Sequence, residues 1–237
     1  LIVLYLFLIA APRGWTAFGS LGDLFQYGRK FSLLPSVSFS DLFKDWRNGD
    51  LKDFGFYAVA KVLADLGISR QVWFALIGLL FAVAFGWFLY RHADDPMIGL
   101  LLMLALFFSF TLTGLRQTVA MAVLFFAYDC ILKKKPIPYI LCVLTAAAFH
   151  SSALIFLPAY WIAKLRFGWK QYVLIGGFLV IAVFKGEWFR QLIELLAWND
   201  SMQYYAESEE TLSWAGYIIQ AFILFFCVAA KKGMNKG

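Results

Sequence analysis

Arg116 and His150 stand in two apolar runs separated by Lys133–Lys135 within GLRQTVAMAVLFFAYDCILKKKPIPYILCVLTAAAFHSSALIFLPAY, residues 114–160. Arginine keeps its proton under ordinary conditions, and its planar fork matches phosphate or carboxylate bidentately. An arginine snorkelling at a helix end is the competing structural reading. His150 is of the type that titrates near neutrality, so it could act as a general base or donate to an anion. A satisfied structural histidine is its plainer alternative. Gln117 could donate to a sugar hydroxyl or cap a helix. Ser151 and Ser152 could bond to a ligand or backbone, or open a helix. Earlier in the chain, Asp23 and Tyr27 stand four apart, on one side of any local helix. Asp23 could be a general base, a partner for Arg29, or a solvated loop acid. Phosphate-binding glycine loops, zinc motifs and nucleophile elbows are absent from the sequence. Cys130, Cys142 and Cys227 are too scattered for a disulfide framework or a metal site and read as small apolar fillers. No metal and no cofactor is expected.

The elements that must position these groups lie in lipid. Hydrophobic residues make up 62% of the chain and charged ones 15%, against about 25% charged in soluble domains. That leaves too little polar surface to cover a water-soluble core. The net charge of +6 then reflects lysines and arginines that fix topology, and nucleic-acid binding is not expected.

The expected fold is all-α, a polytopic transmembrane helical bundle of about eight spans forming a single membrane-embedded domain over residues 1–237. The chain starts without Met inside an apolar run, Leu1–Ala11, read as the end of a first span of a longer protein. Residues 12–70 read as an outer loop with interfacial helices. Its many aromatics argue against disorder, 40–46 suits a short capped helix, and 54–66 a short amphipathic one. Residues 71–90 form the cleanest span, followed by 97–113, 117–132, the apolar stretch 137–163, and then 171–184 and 213–230.

The stretch 137–163 is long for one crossing. As a single span it would separate Lys133–Lys135 from Lys164, Arg166 and Lys170. Broken into a hairpin near His150, it places both clusters on one face with Lys231 and Lys232, and the positive-inside rule makes that face cytoplasmic. Each half, about 13 residues, reaches only about 20 Å of a core near 30 Å, which a protein-lined cavity or a thinned bilayer accommodates. Arg116 and His150 then emerge together on the outer face, where ionisable groups suggest a site.

The run GLRQTVAMA (114–122), a basic turn, and AAAFHSSALI (146–155) resemble the EpsG family. The family's G-x-D-x-x-x-Y element is loosely matched by 21–27, where the glycine directly precedes Asp23. Its E-x-G-Y/F-like element is approximated by Asp53-Phe54-Gly55-Phe56-Tyr57, with Asp for Glu. The resemblance covers roughly residues 22–160. It implies a bacterial exopolysaccharide or capsule polymerase of the Wzy type, multi-pass in the cytoplasmic membrane with its active face outward. Such a glycosyltransferase moves a glycan from an undecaprenyl diphosphate carrier onto another lipid-linked repeat unit. Arg116 would neutralise the leaving diphosphate, and His150 or Asp23 would deprotonate the acceptor hydroxyl. Gln117, Tyr27, Ser151 and Ser152 would bind substrate. The implied partners are the lipid-linked oligosaccharide, the bilayer and other polysaccharide-assembly proteins. A lipid-linked glycan transporter or flippase, and a membrane O-acyltransferase, are the alternatives the residues leave open.

Overall fold

In the computed structural model the described residues are 23–106 and 114–164, together with 3, 4, 6, 7 and 177. The chain divides into two compact units, Leu1–Leu165 and Arg166–Gly237. The description below concerns the first. The expected spans at 171–184 and 213–230, most of 1–11, and residues 107–113 lie outside the described residues.

The described residues are helical, with no strand among them. The part of 12–70 that is described is a packed helical layer. It contains α1 (Asp23–Leu33), a 3-10 turn (Leu34–Ser36), α2 (Phe39–Asn48) and α3 (Phe54–Asp65). Local sequence explains the boundaries of α2. Ser38 accepts a hydrogen bond from Asp41 N at 3.1 Å, and Gly49 takes the left-handed C-terminal position at φ 90°. The cap is therefore Ser38, two residues before the expected start.

These helices share one core with the start of the next, built from Leu24, Phe31, Leu42, Phe56, Ala60, Trp73 and Phe74. Phe31 stacks on Trp73 at 4.5 Å, and Phe56 meets Tyr27 edge-on at 5.7 Å. Such ring pairs add about 0.5–1.5 kcal/mol each beyond area burial. The aromatics of this segment are thus core residues as well as surface ones, although Phe39, Phe43 and Trp46 stay exposed. Lys61 is buried in the same layer, and its ammonium donates to Leu34 O at 3.2 Å and to Asp65 at 2.9 Å. Those bonds tie α3 to the 3-10 turn and compensate a buried charge.

The helices that follow are α4 (Arg70–His92), α5 (Pro96–Leu106), α6 (Leu115–Leu132) and α7 (Pro136–Phe149). Two of them, α4 with 23 residues and α6 with 18, are long and apolar enough to cross a membrane. At 1.5 Å per residue they extend about 34 and 27 Å. They run side by side in the same direction. Val119 joins the Trp73 end of α4, Phe125 packs on Phe81, Phe85 and Phe88, and Arg91 Nε donates to Asp129 at 2.9 Å. The lysine turn then sends α7 back against α6. Pro136 occupies the first position of α7, where its missing N–H costs nothing.

The apolar stretch that starts at Ile137 is broken at His150, as its length and charges suggested. α7 ends at Phe149, His150 is extended (φ −156°, ψ 111°), and a 3-10 segment, Ser151–Phe156, leads to a short α8 (Ala159–Ile162). The chain returns alongside α7. Tyr160 lies 5.3 Å from Tyr139, whose hydroxyl donates to Phe156 O. Lys164, 3.9 Å from the Tyr160 ring centroid, therefore comes back to the lysine-turn end.

Candidate functional site

The reversal at the lysine turn brings the start of α6 and the end of α7 to the same end of the layer. Arg116, in the first turn of α6, and His150, just past α7, meet on one carboxylate that belongs to neither helix. Asp53 Oδ2 accepts from Arg116 Nη1 at 2.8 Å and from His150 Nδ1 at 3.1 Å. Asp53 Oδ1 accepts from the backbone N–H of Ser151 at 2.8 Å. The Asp53 side chain is 2% exposed, that of His150 18% and that of Arg116 26%.

Three local features put Asp53 there. It occupies the N-cap position of α3 in the left-handed region (φ 60°, ψ 58°), which Asp tolerates better than most residues. Its carboxylate makes no bond to its own helix, so both oxygens face the incoming chain. Gly55, two residues later, lies so close to α7 that a Cβ there would sit 2.7 Å from Ala148 O. Only the missing side chain lets the start of α3 reach the end of α7.

Burial by itself would raise the Asp53 pKa. The hydrogen bonds from His150 and Ser151, with the charges of Arg116 and His150, outweigh that and hold the carboxyl below its ordinary range. An ionised Asp53 accepts only, so the proton in the 3.1 Å contact resides on His150 Nδ1. The Nε2 lone pair of a neutral His150 is then left to the site, with no hydrogen-bond partner among the described residues. Arg116 is held on a second side as well. Its Nε donates to Tyr27 Oη at 3.0 Å, and its guanidinium carbon lies 5.8 Å from the Tyr27 ring centroid. Nη2 makes no hydrogen bond among the described residues. One edge of the fork is anchored and the other is left available.

Of the expected site residues, Arg116, His150 and Tyr27 are brought together. Ser151 joins them through its backbone N–H, not its hydroxyl. Gln117 is half-buried beside Arg116 and Ser152 is exposed, and neither bonds to the cluster. Asp23 opens α1 one turn before Tyr27, and its side chain lies outside the described residues. The residue that reading the sequence missed is Asp53, the centre of the arrangement. Its signal was an acid at a helix start, two before a glycine, which was noted only as part of a family-like element. No group of three or more His, Cys, Asp or Glu side chains suited to a metal ion occurs among the described residues.

A cavity of about 170 Å³ opens beside the site between α3, α4 and α6, lined by Phe56, Val59, Trp73, Leu80, Val119 and Phe149 among others. Its lining is apolar. At the opposite ends of α4 and α6, Asp129 gathers Arg91 at 2.9 Å, Lys133 at 2.5 Å and His92 at 3.7 Å. His92 lies at this end, away from the Arg116 cluster.

Neither a curated protein nor a solved structure shows significant similarity to the chain. A sequence model of the EpsG family matches residues 1–236, and the chain belongs to that family.

Proposed function

We propose that the protein is an exopolysaccharide polymerase, a glycosyltransferase acting on lipid-linked repeat units at the outer face of the cytoplasmic membrane. The observation that carries this reading is the Arg116–Asp53–His150 cluster, which pairs an anchored cation with an oriented imidazole at one end of two membrane-length helices. Asp53 fixes the His150 tautomer and leaves Nε2 as the base. In the transfer, Nε2 takes the proton of the acceptor sugar hydroxyl as that oxygen bonds to the anomeric carbon of the donor. The bond from that carbon to the carrier diphosphate breaks, and its electron pair leaves on the diphosphate oxygen. Nη2 of Arg116 faces the developing charge, where a preorganised donor stabilises the transition state more than the ground state. The apolar cavity flanked by Phe56 and Phe149 offers room for part of a lipid chain next to that leaving group.

The orientation follows from charge. Arg91 and Lys133–Lys135 mark one end, Lys164 returns to it, and the positive-inside rule assigns that end to the cytoplasm. Eight spans, with the remaining ones in 1–11, 97–113, 171–184 and 213–230, complete the proposed topology. Other polysaccharide-assembly proteins are the expected partners in the cell.

Purified protein in nanodiscs, given undecaprenyl diphosphate-linked repeat units and no energy source, is expected to lengthen the glycan and release undecaprenyl diphosphate. Movement of intact substrate across a liposome membrane without elongation would make it a transporter. Transfer of labelled acyl groups would make it an acyltransferase.

A further inference from the structure

A second cation and a second hydroxyl lie on the two helices that hold Arg116, α1 through Tyr27 and α3 through Asp53, and neither has a polar partner among the described residues. Lys30 lies on α1, three residues after Tyr27 and so on the same helix face. Its ammonium sits 5.4 Å from the ring centroid of Tyr57 on α3. It forms no hydrogen bond or ion pair with a described residue. Tyr57 is 4% exposed, yet its hydroxyl also makes no hydrogen bond among the described residues, while keeping an edge open to solvent.

We infer that Lys30 and the Tyr57 hydroxyl, with the open edge of Arg116, form the seat of a phosphate or diphosphate group. The inference deepens the proposed function by assigning two further binding residues, and it rests on that reading for the identity of the anion. Charge supports it. Asp53 is the carboxylate in contact with the cluster, and its two oxygens are already occupied by Arg116, His150 and Ser151 N. Among the described residues Arg116 and Lys30 together therefore exceed the negative charge at the cluster, and a doubly charged oxyanion would balance them. Partial desolvation first, and then the positive charge of Arg116, lower the Lys30 pKa, and no described carboxylate pairs with Lys30. Burial pushes the Tyr57 hydroxyl up to about 12, against the opposing charge of Arg116, and keeps it a donor at neutral pH.

The test is equilibrium binding to the full chain in nanodiscs, with labelled inorganic pyrophosphate in one arm and a polyprenyl diphosphate doped into the disc in the other. Lys30→Met is expected to weaken binding about tenfold or more, and Tyr57→Phe about fivefold, as for lost hydrogen bonds to a charged group. Lys30→Arg should restore most of the affinity. Lys44→Met, at an exposed lysine paired with Asp41, should change nothing. Melting profiles of each variant identify any that fail to fold. Binding in both arms assigns the seat to the phosphate group itself, and binding in the lipid arm alone assigns it to a membrane-held headgroup. Wild-type affinity in folded Lys30→Met, or no binding of either probe by the wild type, overturns the proposal. Weakened binding in Lys30→Met without polymer from wild-type protein leaves the seat standing and removes the polymerase reading. Polymer formation with an unchanged KM in Lys30→Met does the reverse.

Discussion

His150 and Asp53, 97 residues apart in the chain, are joined by a 3.1 Å contact between Nδ1 and Oδ2. The same oxygen holds Arg116 at 2.8 Å. Asp53→Asn retains size but can no longer balance a cation or fix the imidazole tautomer. Polymer synthesis should fall by about 10²-fold or more, within the range of lost base function, with the protein still inserted. Asp53→Ala leaves Arg116 partly buried without its counter-charge and should cost about 3 kcal/mol of stability. Glycan length on gels and a thermal melt in detergent separate the two effects.

Arg116 and His150 act on one substrate if they are a unit. Arg116→Lys keeps the charge and loses both the fork and the Tyr27 bond, so a large loss of activity is expected. Arg116→Ala should lose at least as much, and His150→Ala should mainly lower kcat. The double variant should be hardly worse than the worse single one. Strictly multiplicative losses in single-turnover assays would mean independent contributions.

Gly55→Ala tests the placement of Asp53 without touching any polar group. The added Cβ meets a backbone carbonyl, so α3 must move away from α7. A destabilisation of about 1–3 kcal/mol is expected, as for overpacking, with a fall in kcat larger than any change in KM. Wild-type kcat in Gly55→Ala would mean that the α3–α7 approach does not position the reactive groups.

The acid sensitivity of the cluster has a definite sign. Asp53 titrates lower in the folded protein than its ordinary value, so its contribution is present above the unfolded carboxylate range, near pH 4. It is lost as pH falls through the lower folded value. Asp53 therefore cannot cause a loss of activity between about pH 7 and 5. Thermal stability of wild type relative to Asp53→Ala should lose the Asp53 contribution only as pH falls below about 4. Loss of that contribution already between about pH 7 and 5 would contradict the assignment.

The return of Lys164 beside Tyr160, itself next to Tyr139, predicts a labelling pattern. Cysteines at 134 and 164 should both resist a membrane-impermeant reagent in intact cells, and one at 209 should react. Labelling at 164 but not at 134 would restore a single long span.

Much of this arrangement was legible in the residues. The break at His150 followed from an apolar stretch too long for one crossing and from lysine clusters at both of its ends. The meeting of Arg116 and His150 followed from two runs of comparable length with a basic turn between them. The helical layer was harder to see, because its aromatics suit a membrane interface as well as a core. Lys61 falls in the segment read as an amphipathic helix, and no sequence pattern shows that Leu34 O waits for it. Asp53 was overlooked for a related reason. It lies in a polar turn between two short helices, and its importance comes from contacts with α6 and α7, which local periodicity cannot report.

The 14 residues of α7 set a depth. At 1.5 Å per residue they climb about 21 Å from the lysine turn, while an average apolar layer is about 30 Å thick. In the proposed topology, with the lysine turn at the cytoplasmic boundary, His150 would then stop roughly 10 Å short of the far boundary. On that topology reactants arriving from water would have to descend below the boundary, whereas a group carried by a lipid would meet the imidazole near the level of the acyl chains. A soluble sugar acceptor would have to shed most of its hydration to reach Nε2, and one already tethered to the bilayer would not have to make that descent.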